Sequence, residues 1–143
     1  MILVDANLLI YAYNSSVDVH ETARAWLGET LSGRERVGLS WSTIHAFLRL
    51  TTHHALFPEP LNVVDATAIV ESWLVQPIVA IVEPGPSYWT ILQSLLRQAN
   101  VRGPLVMDAH LAALAVENDA ILHTTDRDFR RFEGVQVRNP LTS

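Results

Sequence analysis

The main candidates for catalysis or metal binding in this chain are three aspartates that lie far apart in the sequence: Asp5, Asp108 and Asp126. Each has an ordinary structural explanation, because aspartate caps helix N-termini and interacts favourably with the positive end of a helix dipole. If the three carboxylates converge, however, their mutual repulsion calls for a cation, and hard oxygen ligands suit Mg²⁺ or Mn²⁺. Such an ion can activate a water molecule and stabilise a leaving oxygen, which is the chemistry of phosphoryl transfer or phosphodiester hydrolysis.

Apolar runs that alternate with helical patterns indicate how these acids could be brought together. The apolar run 1–4 suits a strand buried on both faces of a parallel sheet, and Asp5 would stand at its carboxyl end, where open α/β sheets bind ligands. Similar runs predict further strands over 36–41, 77–82, 120–124 and 135–137. Residues at helical spacing predict helices over 6–13, 19–31, 44–54, 62–74, 87–99 and 105–116.

This alternation predicts an α/β fold with a parallel sheet of four or five strands and helices on both faces. The chain of 143 residues has the size of one domain, predicted over 1–143. The segment 105–116 is apolar almost all round, which is typical of a helix at the centre of a molecule, and Asp108 is the exception near its start. Asp126 follows the last clear strand, so all three acids could share one rim.

Composition narrows the classes of function. With no cysteine, the chain forms no disulfide or thiolate metal site, which fits a reducing compartment and predicts a cytoplasmic location. The N-terminus lacks the basic region of a signal peptide, and no run is long enough to span a bilayer, so we expect no membrane association. Because the net charge is −5, binding of a nucleic acid would depend on a local arginine patch or on metal bridging.

The motifs around the three acids resemble those of PIN-domain ribonucleases, specifically the VapC-type toxins. They are Val4-Asp5-Ala6-Asn7, the run DAHLAALA that starts at Asp108, and TTDRDF over 124–129. The resemblance covers nearly the whole chain and implies a sheet of order 3-2-1-4-5 and a Mg²⁺- or Mn²⁺-dependent endoribonuclease. It also implies a homodimer, a small VapB-type antitoxin as partner, and structured RNA such as tRNA as the substrate.

The same resemblance implies a role for each matching residue. Asp5 and Asp108 would be metal ligands, and Asp126 would be a further acid that holds metal or positions water. The supporting residues would be Asn7, which would orient Asp5, together with Thr125 and Asp128 at the strand end.

One position departs from the family pattern. Counting from Ser40, the family's glutamate in the helix after the second strand falls on Ala46. His45, which shares the polar face of that helix with Arg49, could substitute for the acid or could be a surface residue. The site could therefore hold one metal ion instead of two. An alternative function is a catalytically weak PIN-like module that binds RNA or an antitoxin.

Two further alternatives concern other chemistry at the same rim. A phosphoaspartyl phosphatase would need a second aspartate where Asn7 stands, and a receiver domain would need a suitably placed lysine, which this chain lacks.

Near Asp126, guanidinium groups could clamp RNA phosphates, although a solvated arginine face is the simpler interpretation, which we favour. The arginines concerned are Arg127, Arg130 and Arg131.

Overall fold

A five-stranded parallel sheet forms the centre of the molecule in the computed structural model, which describes residues 1–142. Ser143, the last residue of the predicted domain, lies outside the described residues. The strands are β1 (Ile2–Val4), β2 (Val37–Leu39), β3 (Val79–Ile81), β4 (Ile121–His123) and β5 (Val137–Arg138). Their spatial order is β3-β2-β1-β4-β5, and every neighbouring pair is parallel. The predicted fold class and the 3-2-1-4-5 order are confirmed.

Helices cover both faces of the sheet, as predicted. They are α1 (Ala6–Tyr11), α2 (His20–Leu31), α3 (Trp41–Thr51), α4 (Val63–Leu74), α5 (Tyr88–Ala99) and α6 (Leu105–Glu117), with a 3₁₀ helix over Arg127–Arg131. Because side chains alternate along a strand, Ile2 and Val4 pack in a core with α1 to α4, while Leu3 packs in a second core with α5 and α6. Among residues 1–142, no helix has both the length and the apolar character needed to cross a bilayer.

The all-round apolar helix predicted over 105–116 is α6, and its side chains are buried on every side after the first turn. Its buried residues are Ala109, Leu111, Ala112, Ala113, Leu114 and Ala115. The packing of this helix against its neighbours therefore positions Asp108, in its first turn, relative to the sheet.

The strand predicted over 36–41 ends earlier than expected. Ser40 is the N-cap of α3, and its hydroxyl accepts a hydrogen bond of 3.1 Å from the backbone N–H of Thr43. This cap satisfies a donor that the first turn leaves without an intrahelical partner, so Trp41 joins the helix instead of the strand.

The start of α5 is held by a distant residue. Ser87, the first residue of the helix predicted over 87–99, occupies the N-cap position, but its hydroxyl makes no capping hydrogen bond. Instead, the carboxylate of Glu117, at the end of α6, accepts the backbone N–H groups of Gly85 at 2.7 Å and of Ser87 at 2.9 Å. Glu117 thus ties the turn that precedes α5 to the end of α6, a contact that local sequence does not indicate.

Candidate active site

Asp5 joins the end of β1 to the start of α1. It is the N-cap of α1, as its ordinary interpretation predicts, and its Oδ1 accepts the backbone N–H of Ala6 at 2.7 Å. Its Oδ2 accepts the hydroxyl of Thr124, at the end of β4, at 2.7 Å. Burial raises the pKa of the Asp5 carboxyl, the two hydrogen bonds lower it, and the charge of Asp126 raises it again. Capping a helix therefore does not remove Asp5 from the rim that Asp126 occupies.

Thr124 links the acids of the two strand ends. Its buried hydroxyl donates to Asp5 and accepts the backbone N–H of Asp126 at 3.0 Å. Asn7 donates from Nδ2 to the hydroxyls of Thr125 at 2.9 Å and of Thr124 at 3.3 Å. Asn7 thus reaches Asp5 through Thr124, and not directly as the family resemblance implies.

Three carboxylates from the second half of the chain form a compact cluster. Asp108, Asp126 and Asp128 each offer an oxygen, and these oxygens lie within 4.8 Å of one another. Asp126 is the N-cap of the 3₁₀ helix, and its Oδ1 accepts the backbone N–H of Asp128 at 2.9 Å. The turn that this bond closes carries Asp128 beside Asp126, on the rim that faces Asp108.

The electrostatics of the cluster are unfavourable in the protein alone. The pKa of Asp108 is raised from 3.8 to about 6, first by burial and then by the negative charges of three other aspartates on the same rim. They are Asp126, Asp5 and Asp128. Arg131 lowers this pKa, and its guanidinium Nη2 lies 3.3 Å from Oδ1 of Asp128. Asp5, Asp108 and Asp126, the acids singled out from the sequence, therefore act on one another electrostatically.

The donor set fits a hard divalent cation. It consists of carboxylate oxygens at a spacing that one ion could bridge, without sulfur or imidazole donors in the group. Burial raises the pKa of Asp108 most, and the charges of the neighbouring aspartates raise it further, so a cation bound at this cluster would offset their repulsion. Asp5 is not part of this trio, although it lines the same cavity as Asp108.

That cavity has a volume of about 710 Å³, and α3 forms the wall opposite Asp5 and Asp108. Asp5 and Asp108 lie on the acidic side, and His45, Ala46 and Arg49 line the cavity from α3. Ala46 thus lies at the site, in the place where the family resemblance expects a glutamate. The structure puts no carboxylate in its place, and the neighbouring His45 is exposed.

The arginines near Asp126 do not act as a group. Arg131 pairs with Asp128, whereas Arg127 and Arg130 are exposed and have no carboxylate within 4 Å among residues 1–142. Arg127 and Arg130 line a smaller polar pocket of about 160 Å³ together with Thr125 and Asp126.

Sequence reasoning gave too little weight to three residues at this site. Thr124 was visible as a hydroxyl at the end of a buried strand, but its partners depend on the pairing of β1 with β4. The resemblance implies only a supporting role for Asp128, and the 3₁₀ turn brings it to Asp108. The sequence predicts that Arg49 lies on the polar face of its helix, but it carries no signal that this face lines the acidic cavity.

Solved structures with the same fold include a VapBC assembly and a toxin. One is VapBC2 from Rickettsia felis bound to a DNA fragment from its promoter, with a TM-score of 0.68, 16% identity and coverage of 97% of this chain and 98% of that one. Another is VapC20 of Mycobacterium tuberculosis, described as a sarcin–ricin loop cleaving toxin, with a TM-score of 0.66, 19% identity and coverage of 95% and 99%. At these identities the likeness concerns the fold.

Sequence comparisons carry the relationship further. The family model of the PIN domain matches residues 2–135. Ribonuclease VapC37 of Mycobacterium tuberculosis (strain ATCC 25618 / H37Rv) is 44% identical over 140 residues, which cover 98% of this chain and 97% of the relative. Ribonuclease VapC33 of Mycobacterium tuberculosis (strain CDC 1551 / Oshkosh) is 38% identical over 141 residues, which cover 99% of each.

The chain belongs to the PIN-domain family, since the family model spans most of its length. Within that family its full-length relatives place it among the VapC ribonucleases, the toxins of VapBC toxin–antitoxin systems. The family resemblance read from the sequence is therefore confirmed.

Proposed function

We propose that this protein is a Mg²⁺- or Mn²⁺-dependent endoribonuclease that hydrolyses phosphodiester bonds in structured RNA such as tRNA. The observation that carries the proposal is the cluster of Asp108, Asp126 and Asp128, whose oxygens lie within 4.8 Å of one another beside the cavity lined by Asp5. A carboxylate cluster of this kind suits a hard divalent cation, and the volume of the cavity lies within the range of small-ligand sites.

In this proposal, Asp108 and Asp126 hold the cation together with Asp128, and Asp5 contributes its carboxylate from the other strand end. When bound, the ion neutralises phosphate charge and generates a nucleophilic water at neutral pH. Thr124 fixes the carboxylate of Asp5 and the backbone of Asp126, so the two strand ends keep their separation. Partial burial of Asp108 strengthens its interaction with the neighbouring charges relative to bulk water.

We further infer that the protein is the toxin of a VapBC-type pair and is neutralised by a small VapB-type antitoxin. Its structural neighbours include such complexes, from Rickettsia felis, nontypeable Haemophilus influenzae and Salmonella typhimurium. We also infer that it acts as one domain, forms a homodimer and works in the cytoplasm, where an RNA substrate and a reducing environment are both present.

The direct test is cleavage of a structured RNA by protein freed of any antitoxin. We expect cleavage of bulk tRNA in Mg²⁺ or Mn²⁺, loss in EDTA, and recovery when excess ion is added. Asp5→Asn, Asp108→Asn and Asp126→Asn should each lower the rate by at least tenfold while retaining the circular dichroism spectrum of the wild type. Cleavage that survives EDTA, or that is unchanged in all three variants, would remove these acids from the mechanism.

A second candidate is the catalytically weak module that binds RNA or an antitoxin without cutting RNA efficiently. Ala46 favours it, because the cavity lacks an acid at that position. Under this alternative, RNA would bind with an affinity that the wild type and Asp108→Asn share, and no cleavage would accumulate in Mn²⁺ at any protein concentration tested.

A further inference from the structure

The cavity wall formed by α3 presents a row of residues that the three-acid mechanism leaves unused. Ser42, His45, Ala46 and Arg49 all line the cavity, and their spacing of i, i+3, i+4 and i+7 is that of one helix face. We call them the α3 wall. Its only formally charged residue is Arg49, whereas Asp5 and Asp108 lie on the other side of the same cavity.

Arg49 is not neutralised by any acid of the described chain. It is exposed, and no carboxylate lies within 4 Å of its guanidinium among residues 1–142. The charges that shift the pKa of Asp108 are those of three aspartates and of Arg131, and Arg49 is not among them. The cavity therefore has a negative and a positive side, with open space between them.

We propose that the α3 wall is a phosphate-binding subsite, in which Arg49 holds the RNA backbone against the acidic side of the cavity. The proposal rests on the proposed function and identifies how the substrate is held. A guanidinium presents a planar fork of donors that matches phosphate oxygens, and its charge is retained at any physiological pH. His45, one turn from Arg49, adds a polar ring on the same face, while the hydroxyl of Ser42 is bonded to the hydroxyl of Ser40 at 2.7 Å.

The uncharged side chain of Ala46 leaves the positive charge of Arg49 without a neighbouring acid on the α3 wall. A glutamate at this position would stand three residues before Arg49, at a spacing where side chains on one helix face pair with each other. It would attract the guanidinium and repel a phosphate. The methyl side chain of Ala46 does neither, so Arg49 is the one charged group of the wall and has space beside it.

The first experiment measures RNA binding, so that the outcome does not depend on turnover. In an Asp108→Asn background, which keeps the RNA intact, fluorescence anisotropy follows a labelled tRNA over a range of salt concentrations. We expect Arg49→Ala to weaken binding about tenfold and to reduce the slope of log affinity against log salt by roughly 0.7, the contribution of one phosphate contact. Arg49→Lys should lose part of the affinity but keep the slope, because it retains the charge without the fork.

The matched control is Arg34→Ala. Arg34 is exposed and precedes β2 at the amino ends of the strands, on the opposite edge of the sheet from the acids. We expect this variant to keep the affinity and the salt slope of its parent. Equal losses in the Arg34 and Arg49 variants would overturn the proposal, because they would show a diffuse charge effect. An unchanged slope in Arg49→Ala would overturn it as well.

Ala46→Glu distinguishes a phosphate-binding wall from a metal site that lacks one acid, because the first predicts a loss of RNA binding and the second a gain in cleavage rate. If the α3 wall binds phosphate, Ala46→Glu weakens RNA binding and raises KM at least tenfold, while Ala46→Gln has a smaller effect. If the cavity is merely a metal site that lacks one acid, Ala46→Glu increases the metal-dependent rate, and that result would overturn the proposal. Wild-type protein that binds RNA through Arg49 yet never cuts it would count against the proposed function alone.

Discussion

The hydroxyl of Thr124 donates a 2.7 Å hydrogen bond to Oδ2 of Asp5, although 119 residues separate them in the chain. The parallel pairing of β1 with β4 makes this possible, since Val4 lies opposite His123 and the next residue of each strand reaches the same rim. The same hydroxyl accepts the backbone N–H of Asp126 at 3.0 Å. One buried side chain therefore sets the relative position of two acids of the proposed active site.

Thr124→Val should damage the site while preserving its shape. The change leaves Oδ2 of Asp5 and the N–H of Asp126 without their partner, which should lower the free energy of unfolding by about 2 kcal/mol. Because the lost hydrogen bond lowers the pKa of Asp5, that pKa should rise further, as an NMR titration would show. Thr124→Ser keeps the hydroxyl and serves as the control. An unaltered Asp5 titration in Thr124→Val would contradict the role given to this bond.

Asp108 should make the stability of the metal-free protein depend on pH. Its pKa is 3.8 when unperturbed and about 6 in the folded protein, so the folded state binds the proton more tightly than the unfolded state. Its charge therefore imposes no penalty on folding well below pH 3.8 and its full penalty above about pH 6. Asp108→Asn should stabilise the protein in EDTA above pH 6 by roughly 1 kcal/mol, because solvent screens part of the repulsion.

The check is urea unfolding in EDTA across this pH range. The advantage of Asp108→Asn should disappear as the pH falls toward 3.8, where the wild-type carboxyl is increasingly protonated in both states. A constant difference at every pH would show that the substitution acts through packing instead of charge.

In Mg²⁺ or Mn²⁺ the wild type should be more stable than Asp108→Asn, the reverse of the order expected in EDTA. An ion that binds only the folded protein stabilises it by RT ln(1 + [ion]/Kd), about 2.7 kcal/mol at a hundredfold excess over Kd. The wild type should gain this stabilisation, and Asp108→Asn should gain much less because it lacks one ligand. Thermal unfolding at increasing ion concentration measures the effect. Equal gains in both proteins would place the ion elsewhere.

Variants of Asp128 and Arg131 can distinguish the role of Asp128 as a metal ligand from its role in the ion pair with Arg131. Their contact of 3.3 Å is exposed, so breaking it should change the free energy of unfolding by less than about 1 kcal/mol. Asp128→Asn should lower Mn²⁺ affinity about tenfold or more, measured by calorimetry, because it removes a charged oxygen from the cluster. Arg131→Ala breaks the same pair but keeps the carboxylate oxygen and removes a nearby positive charge, so this matched control should keep or raise the Mn²⁺ affinity.

Glu117 should contribute to stability without contributing to catalysis. Its carboxylate accepts the N–H groups of Gly85 and Ser87, so Glu117→Ala should lower the free energy of unfolding by about 1–2 kcal/mol. Hydrogen exchange at these two amides should accelerate while the rate of RNA cleavage per folded molecule stays unchanged. Glu133→Ala, at an exposed residue that forms no side-chain hydrogen bond among residues 1–142, should change stability by less than about 0.5 kcal/mol.

The fold could be predicted from the sequence because its signals are local. Continuous apolar runs separate buried strands from amphipathic helices, and the apolar character of 105–116 identified α6 as central. Parallel pairing then obliges the strands to end on one edge, which placed Asp5 and Asp126 on a common rim. The precise bounds depended on weaker effects, such as the Ser40 cap that shortens β2.

The sequence by itself determined the fold class, the edge of the sheet that carries the acids, and the chemistry those acids suit. Only the tertiary structure decided which oxygens meet: it grouped Asp128 with Asp108 and Asp126, placed Thr124 beside Asp5, and turned Arg49 toward the cavity. The physical reason is that the two kinds of interaction act over different distances along the chain. Periodicity fixes which face of an element is buried, whereas the partner of a polar side chain depends on packing between elements that are distant in the chain.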